Sequence, residues 1–290
     1  MKSTYLGGLY MALAASIWGG MYVVSKILLE NIAPFVLVWI RYLVASLTLA
    51  IGIAATGQSW RIRRRHLPLV AAIGIVGYAL SIWLQFLGTK LSTAQMGAII
   101  TSTTPAFMVV FSRFILGEKI TVRKAFSVGL ATVGVLMIVG NAGFGQSDRL
   151  GGVILFAAAL AWALMSVLVK LVPKSYSQLT VTFYAILVAT LGITPAAAAQ
   201  LLRSSPGIWL QPSIWSGVLY LGVISTAGAF FLWNKGLQLV NASSGGLYFF
   251  FQPLVGTFLG WLILGETVGF SFWLGAVLIL TGIALVAKES

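Results

Sequence analysis

Long apolar runs alternate with short polar breaks along the whole chain. The runs cover residues 5–28, 33–56, 67–88, 92–116, 122–139, 150–170, 178–202, 213–236, 241–264 and 269–286. Each approaches the roughly 20 apolar residues needed to cross ~30 Å of hydrocarbon. Backbone groups in lipid must pair within their own segment or in a closed barrel, and barrel strands alternate polar and apolar positions. Stretches such as Val133-Gly-Val-Leu-Met-Ile-Val139 do not alternate. The pattern predicts an all-α integral membrane protein with ten transmembrane helices. Residues 5–28 are read as a first span and not a cleaved leader, because Trp18 and Lys26 continue the same run.

The pattern also repeats. Gly97–Glu118 is an apolar stretch with Pro105 at its middle and Ile-Leu-Gly-Glu at its end; Gly245–Glu266 has the same plan around Pro253. Residues 88–134 align with 236–282 at an offset of 148, without a gap. Earlier runs align at an offset of 144, which matches Trp18 with Trp162, Lys26 with Lys170, and Leu43–Leu47 with Leu187–Leu191. The reading is two five-helix halves, residues 1–140 and 146–290. Five is odd, so the second half enters the membrane from the opposite side. Inverted repeats of this kind meeting around a midplane site are a transporter architecture. A duplicated scaffold without transport is the alternative.

Composition supports the lipid setting. Of 290 residues, 59% are hydrophobic and only 8% charged, against about 25% charged in soluble domains, and the mean hydropathy is +1.01. The net charge of +13 does not point to nucleic acid, because the basic residues sit in short loops. Lys26, Lys90, Arg149 and Arg203 fall in odd-numbered gaps, and Arg41 lies within a run. The other basic residues occupy even-numbered gaps or the termini, with Arg61-Ile-Arg-Arg-Arg65 the strongest cluster. That bias predicts cytoplasmic termini in a multi-pass inner-membrane protein. With no Cys, one His and five acids, none mid-span, metal and membrane-enzyme chemistry have little material. No cofactor is expected.

Candidate residues follow from these features. Pro105 and Pro253 each remove an amide donor and disturb the preceding turn, near residues 101 and 249. Interrupted helices at matched positions point to a binding site, and Thr101–Thr104 and Gln252 flank the two breaks. Of these, Ser102 and Gln252 are named for the substrate pathway. Trp18, Tyr22 and Lys26 share one helix face, and Trp162, Ser166 and Lys170 repeat the spacing. They read either as paired gates, with Lys attracting a carboxylate at each mouth, or as interface aromatics with snorkelling lysines. Tyr78 and Gln85 in the third run, Trp233 in the eighth and Tyr248 in the ninth are further pathway candidates. Arg41 is about 12 Å into its run at 1.5 Å per residue. A lone intramembrane charge is a functional candidate; snorkelling and pairing with Glu30 are the alternatives.

The two five-helix halves, Trp18-Gly19 in an Ala-rich first helix, Arg41 in the second, and the proline-broken fourth helix ending in Leu-Gly-Glu resemble EamA-type members of the drug/metabolite transporter superfamily. Within it, the aromatic-rich chain is similar to bacterial aromatic amino-acid exporters. The resemblance implies a basket-like pore lined mainly by helices 1, 3, 4, 6, 8 and 9. Trp162 departs from the pattern, being followed by Ala where Trp18 is followed by Gly. The expectation is a transporter moving small metabolites, foremost aromatic amino acids, out of the cytoplasm by alternating access. The expected partners are a small-molecule substrate and the lipid bilayer. Without intramembrane carboxylates, coupling to protons or Na⁺ is expected to be weak. The alternatives are export of other metabolites, including aromatic cations, or a channel or scaffold.

Overall fold

The computed structural model describes residues 2–92, 97, 100–101, 103–139, 146–202, 206–264 and 270–287. Among the described residues every regular element is helical. In chain order the main helices are α1 (Lys2–Asn31), α2 (Pro34–Ala55), α3 (Arg64–Leu91), α4 (Thr104–Leu116), α5 (Val122–Val139), α6 (Gln146–Val169), α7 (Gln178–Leu201), α8 (Pro212–Leu239), α9 (242–264) and α10 (Phe270–Ala287). By length and composition α1, α2, α3, α6, α7 and α8 can cross a membrane, whereas α4 and the Trp273–Gly282 part of α10 are apolar but shorter. Large apolar side chains stay exposed on outer faces, as at Phe114, Val122 and Leu202. Lipid is the solvent that suits such a surface.

The fourth run differs from its sequence reading. Gly97, Ile100 and Thr101 are helical and Thr103 is in a turn; helix resumes at Thr104, with Pro105 in its first turn. A first-turn proline loses no helical hydrogen bond, so the chain restarts a helix there instead of kinking one. Ahead of it, Thr101 and Thr103 donate their hydroxyls to Gly97 O at 2.7 Å and Ile100 O at 2.6 Å. The second copy breaks by tightening: residues Gly246–Phe250 form a 3₁₀ turn just before Phe251–Leu264.

Two π-helical stretches were not legible in the sequence. They occupy Ile73–Ser81 in α3 and Tyr220–Gly228 in α8, nearly matched positions of the two halves. A π turn breaks the i→i−4 ladder and is common at functional sites. Here side chains reach its carbonyls: Tyr42 donates to Tyr78 O at 2.7 Å, and Trp18 to Ser225 O at 2.9 Å.

Helix packing repeats under the same two offsets. A Cβ on Gly88 of α3 would stand 2.9 Å from Gly151 O of α6, and one on Gly236 of α8 would stand 2.8 Å from Gly7 O of α1. Gly134 of α5 and Gly282 of α10 approach each other's helices the same way, at 2.6 Å from Gly275 O and 2.8 Å from Ser127 O. Helix association in lipid depends on such small-residue contacts, because apolar burial gains nothing over lipid contact.

The Leu-Gly-Glu ending of α4 has a specific job. Gly117 takes φ 70°, the left-handed conformation that closes a helix. Glu118 then crosses to the start of α9, where its carboxylate accepts from Ala242 N at 3.0 Å, Ser243 N at 3.1 Å and Ser243 Oγ at 2.5 Å. A carboxylate is stabilised at a helix N-terminus by the orphan amides there. The matching Glu266 lies outside the described residues.

Candidate functional site

The cavity at the centre draws on α1, α3, α4, α6, α8 and α9, and holds an empty volume of ≈ 350 Å³. Little of it is wide enough for water, because aromatic rings fill the middle. Its walls come in repeat-matched pairs: Trp18 with Trp162, Ile82 with Phe230, Thr101 with Phe249, and Thr104 with Gln252. The last two pairs are the residues four before and one before each proline. The broken helices thus bring corresponding positions to one space.

Trp18 is the hub of the aromatic lining. Its ring centroid lies 5.2 Å from Trp162, 5.3 Å from Trp233, 5.6 Å from Phe249 and 5.9 Å from Phe230. Phe230 in turn stacks on Tyr78 at 4.6 Å. Edge-to-face and tilted arrangements suit aromatic quadrupoles.

A directed hydrogen-bond relay fixes the polar part. The Thr101 hydroxyl donates to Gly97 O, so it must accept from Tyr22 at 2.9 Å. Tyr22 has then spent its proton, so it accepts from Gln85 Nε2 at 2.6 Å. The relay sets the Gln85 amide with its nitrogen on Tyr22 and its oxygen free. Four buried polar atoms of cavity-lining residues have no hydrogen-bond partner among the described residues: Gln85 Oε1, Gln252 Oε1, Thr104 Oγ1 and Trp162 Nε1. Unpaired buried polar atoms are costly and need an explanation. Here they offer two amide acceptors, one indole donor and one hydroxyl.

Several expected residues stand elsewhere. Tyr248 does not line the cavity: its hydroxyl packs on α1, 2.3 Å from where a Gly8 Cβ would be. Phe249, one residue on, lines it instead. The 148 offset from Thr101 and the spacing from Pro253 were the signals that could have singled it out. Tyr78 sits a layer back, accepting from Asn234 Nδ2 at 2.7 Å, and the same amide reaches Thr182 at 2.9 Å. Trp233 donates to Ser166 Oγ at 3.1 Å. Ser102 lies outside the described residues. Pro105 and Pro253 are buried beside the cavity residues that precede them.

The two lysines each reach the end of a neighbouring helix. Lys26 donates to Thr89 O at 3.0 Å and Ser92 O at 2.5 Å, the end of α3. Lys170 donates to Leu237 O at 2.8 Å and Val240 O at 2.6 Å, the end of α8. Thr89 and Ser92 map onto Leu237 and Val240 at offset 148. Each ammonium therefore satisfies the orphan carbonyls at a helix C-terminus, the favoured place for a cation.

Arg41 neither snorkels nor pairs with Glu30. It is 0% exposed. Its Nε donates to Thr226 Oγ1 at 2.7 Å and its Nη1 to Met21 Sδ at 3.6 Å, while Nη2 has no partner among the described residues. Its guanidinium lies 5.1 Å from the Phe86 ring centroid and 6.0 Å from that of Phe230. Cation–π contact compensates part of the desolvation. Met21 and Phe230 line the cavity, so Arg41 stands directly behind its wall.

These features define a multi-pass helical membrane protein with a central cavity walled by matching residues of two repeated halves. The chain belongs to the EamA-like transporter family, whose pattern matches residues 5–140 and again 149–288. The uncharacterized transporter YetK of Bacillus subtilis (strain 168) is 29% identical over 287 residues, 95% of this chain and 86% of that one. An uncharacterized transporter of Archaeoglobus fulgidus is 27% identical over 97% of both chains. The permease-like protein YdzE of Bacillus subtilis is 69% identical over 71 residues, covering 24% of this chain and 91% of YdzE. A crystal structure of a protein with 20% identity superposes with a TM-score of 0.79 over 98% of each chain, a likeness of fold. The protein is thus a membrane transporter and not an enzyme.

Proposed function

We propose that the protein exports small amino-bearing metabolites, foremost aromatic amino acids, by alternating access of two inverted five-helix halves, residues 1–140 and 146–290, forming ten crossings with both termini in the cytoplasm. The inner membrane is the proposed location. The observation that carries the reading is the pairing of free Gln85 and Gln252 oxygens with the rings of Trp18, Trp162, Phe230 and Phe249 around one cavity. An ammonium group meets the two amide acceptors, and an apolar or aromatic body meets the rings. A carboxylate meets the Trp162 N–H and the Thr104 hydroxyl. Among the described residues the cavity lining contains no acid, which favours transport down a substrate gradient without proton coupling.

The same lining supports a second reading, an aromatic cation without a carboxylate, because its two amide oxygens are acceptors and its rings attract cations. Counterflow in proteoliposomes separates the two. Labelled Phe, Tyr, Trp, Leu and Thr are compared with phenethylamine, which keeps the ring and ammonium but lacks the carboxylate. Saturable Phe counterflow, reduced at least tenfold by Gln85→Leu or Gln252→Leu and unchanged when the proton gradient is collapsed, is expected. Equal or faster movement of phenethylamine selects the cation reading. Absence of counterflow for the whole panel overturns both.

A further inference from the structure

A second site lies at one end of the helices, where the Arg-rich loop before α3 meets the turn before α7. Ser59, Arg61, Arg63, Arg65 and His66 line it from the first half; Pro173, Ser175, Tyr176 and Ser177 line it from the second. The concavity is open to solvent, with an empty volume of ≈ 690 Å³. It is built and not accidental. The Tyr176 hydroxyl accepts from Arg63 N at 3.2 Å and sits 2.8 Å from His66 Nδ1. Thr180 Oγ1 donates to Ser59 O at 2.8 Å, and Ser177 is bonded to the Gln58 side chain. The two loops are therefore stitched together beneath the arginines.

Among the described residues no acidic side chain lines this pocket. Arg61, Arg63 and Arg65 are exposed, and Arg64 and Lys174 stand next to it in the chain. Two helices also begin here: α3 with its Arg64–His66 turn, and α7 with Ser177 as its N-cap. The N-terminal end of a helix favours an anion near it. Guanidinium forks and hydroxyls together are a donor set for phosphate oxygens. Trp60 and Leu67 flank the loop with 39% and 42% of their surface exposed. An exposed indole beside a basic loop is typical of the lipid headgroup level.

We propose that this pocket binds a phosphate group, and that the source is the phosphodiester of an anionic phospholipid. A phosphate held there bridges the first-half loop and the second-half turn, so the lipid is a structural link between the halves. Basic pockets between helices on the cytoplasmic side are the setting in which headgroups are recognised. The proposal stands on the pocket alone and is independent of the transported substrate.

Native mass spectrometry of the purified full chain tests it. The protein is incubated with phosphatidylglycerol or zwitterionic phosphatidylcholine, and in a parallel arm with inorganic phosphate as competitor. Selective retention of phosphatidylglycerol is expected, with roughly tenfold loss in the Arg63→Gln/Arg65→Gln double variant. Arg64→Gln, which removes the same kind of charge beside the pocket but does not line it, is expected to retain the lipid. Displacement of the lipid by millimolar phosphate assigns the pocket to soluble phosphate and overturns the lipid source. Equal loss in Arg64→Gln, or no preference over phosphatidylcholine, overturns the site altogether, because general surface charge then explains binding.

Discussion

Trp18 and Trp162 meet edge to face, with ring centroids 5.2 Å apart and planes at 86°. They are the same position of the two repeats, 144 residues apart in sequence. The contact brings matching positions of the two halves together at the cavity. Yet the two indoles are not equivalent: Trp18 Nε1 donates to Ser225 O, whereas Trp162 Nε1 has no partner among the described residues.

That asymmetry separates stability from transport. Trp18→Phe removes a made hydrogen bond and leaves a buried carbonyl, so it should cost about 1–2 kcal/mol. Trp162→Phe loses similar ring volume but removes an unmade hydrogen bond, so it should cost about 1 kcal/mol less than Trp18→Phe while substrate KM rises. Thermal unfolding in detergent and counterflow kinetics, run on both variants, test the pair. Equal destabilisation would contradict the assignment.

Tyr22 is the centre of the relay that orients Gln85. Tyr22→Phe strands the Gln85 amide nitrogen and deprives Thr101 of a donor. A loss of about 1–3 kcal/mol is expected. The amide is then free to turn over, so selectivity between Phe and Leu should also relax. Gln85→Leu combined with Tyr22→Phe should cost less than the sum of the single changes, which a double-mutant cycle measures.

The lysines act as helix caps at matched sites. Lys26→Met and Lys170→Met should each destabilise by about 1–2 kcal/mol, because they leave three and two carbonyls, respectively, without a charged donor. Neither should change KM by more than about twofold. A large KM increase without loss of thermal stability would restore the role of a substrate-attracting gate.

Arg41 is a buried cation without a carboxylate. Arg41→Met keeps the apolar packing and removes the desolvated charge, so stability should change by less than about 1 kcal/mol or improve. Arg41→Lys should be the worse substitution by about 1–2 kcal/mol, because an ammonium is more strongly hydrated and lacks the planar fork that spans Thr226, Met21 and the rings. Unfolding midpoints of the two variants decide the order.

Much of this site was legible in the sequence as positions but not as contacts. The offset of 148 matched Thr104 with Gln252, and both line the cavity. The shared spacing of Trp18 and Lys26 with Trp162 and Lys170 placed each pair on one helix face. Spacing defines a face and not what the face meets, so the lysines' destination on helix-end carbonyls could not be read from it. Tyr248 and Phe249 show the same limit: neighbouring residues point about 100–120° apart on a helix, and composition favoured the polar one. Arg41 was visible as an anomaly, but its Thr226 partner is 185 residues away in the chain.

Sequence alone determined the long apolar helices, the doubled plan, the paired proline breaks and the lack of mid-span acids, because these depend on local composition and on regular offsets along one chain. The tertiary structure decided the rotation of each helix about its axis. That rotation brought Phe249 rather than Tyr248 to the cavity, closed the one-way relay from Gln85 to Gly97, and joined the α2–α3 loop to the α6–α7 turn as a basic pocket. The physical reason is that helices in lipid gain no orientation from apolar burial. Close packing and the pairing of scarce polar groups set it, and both require neighbours that are distant in sequence.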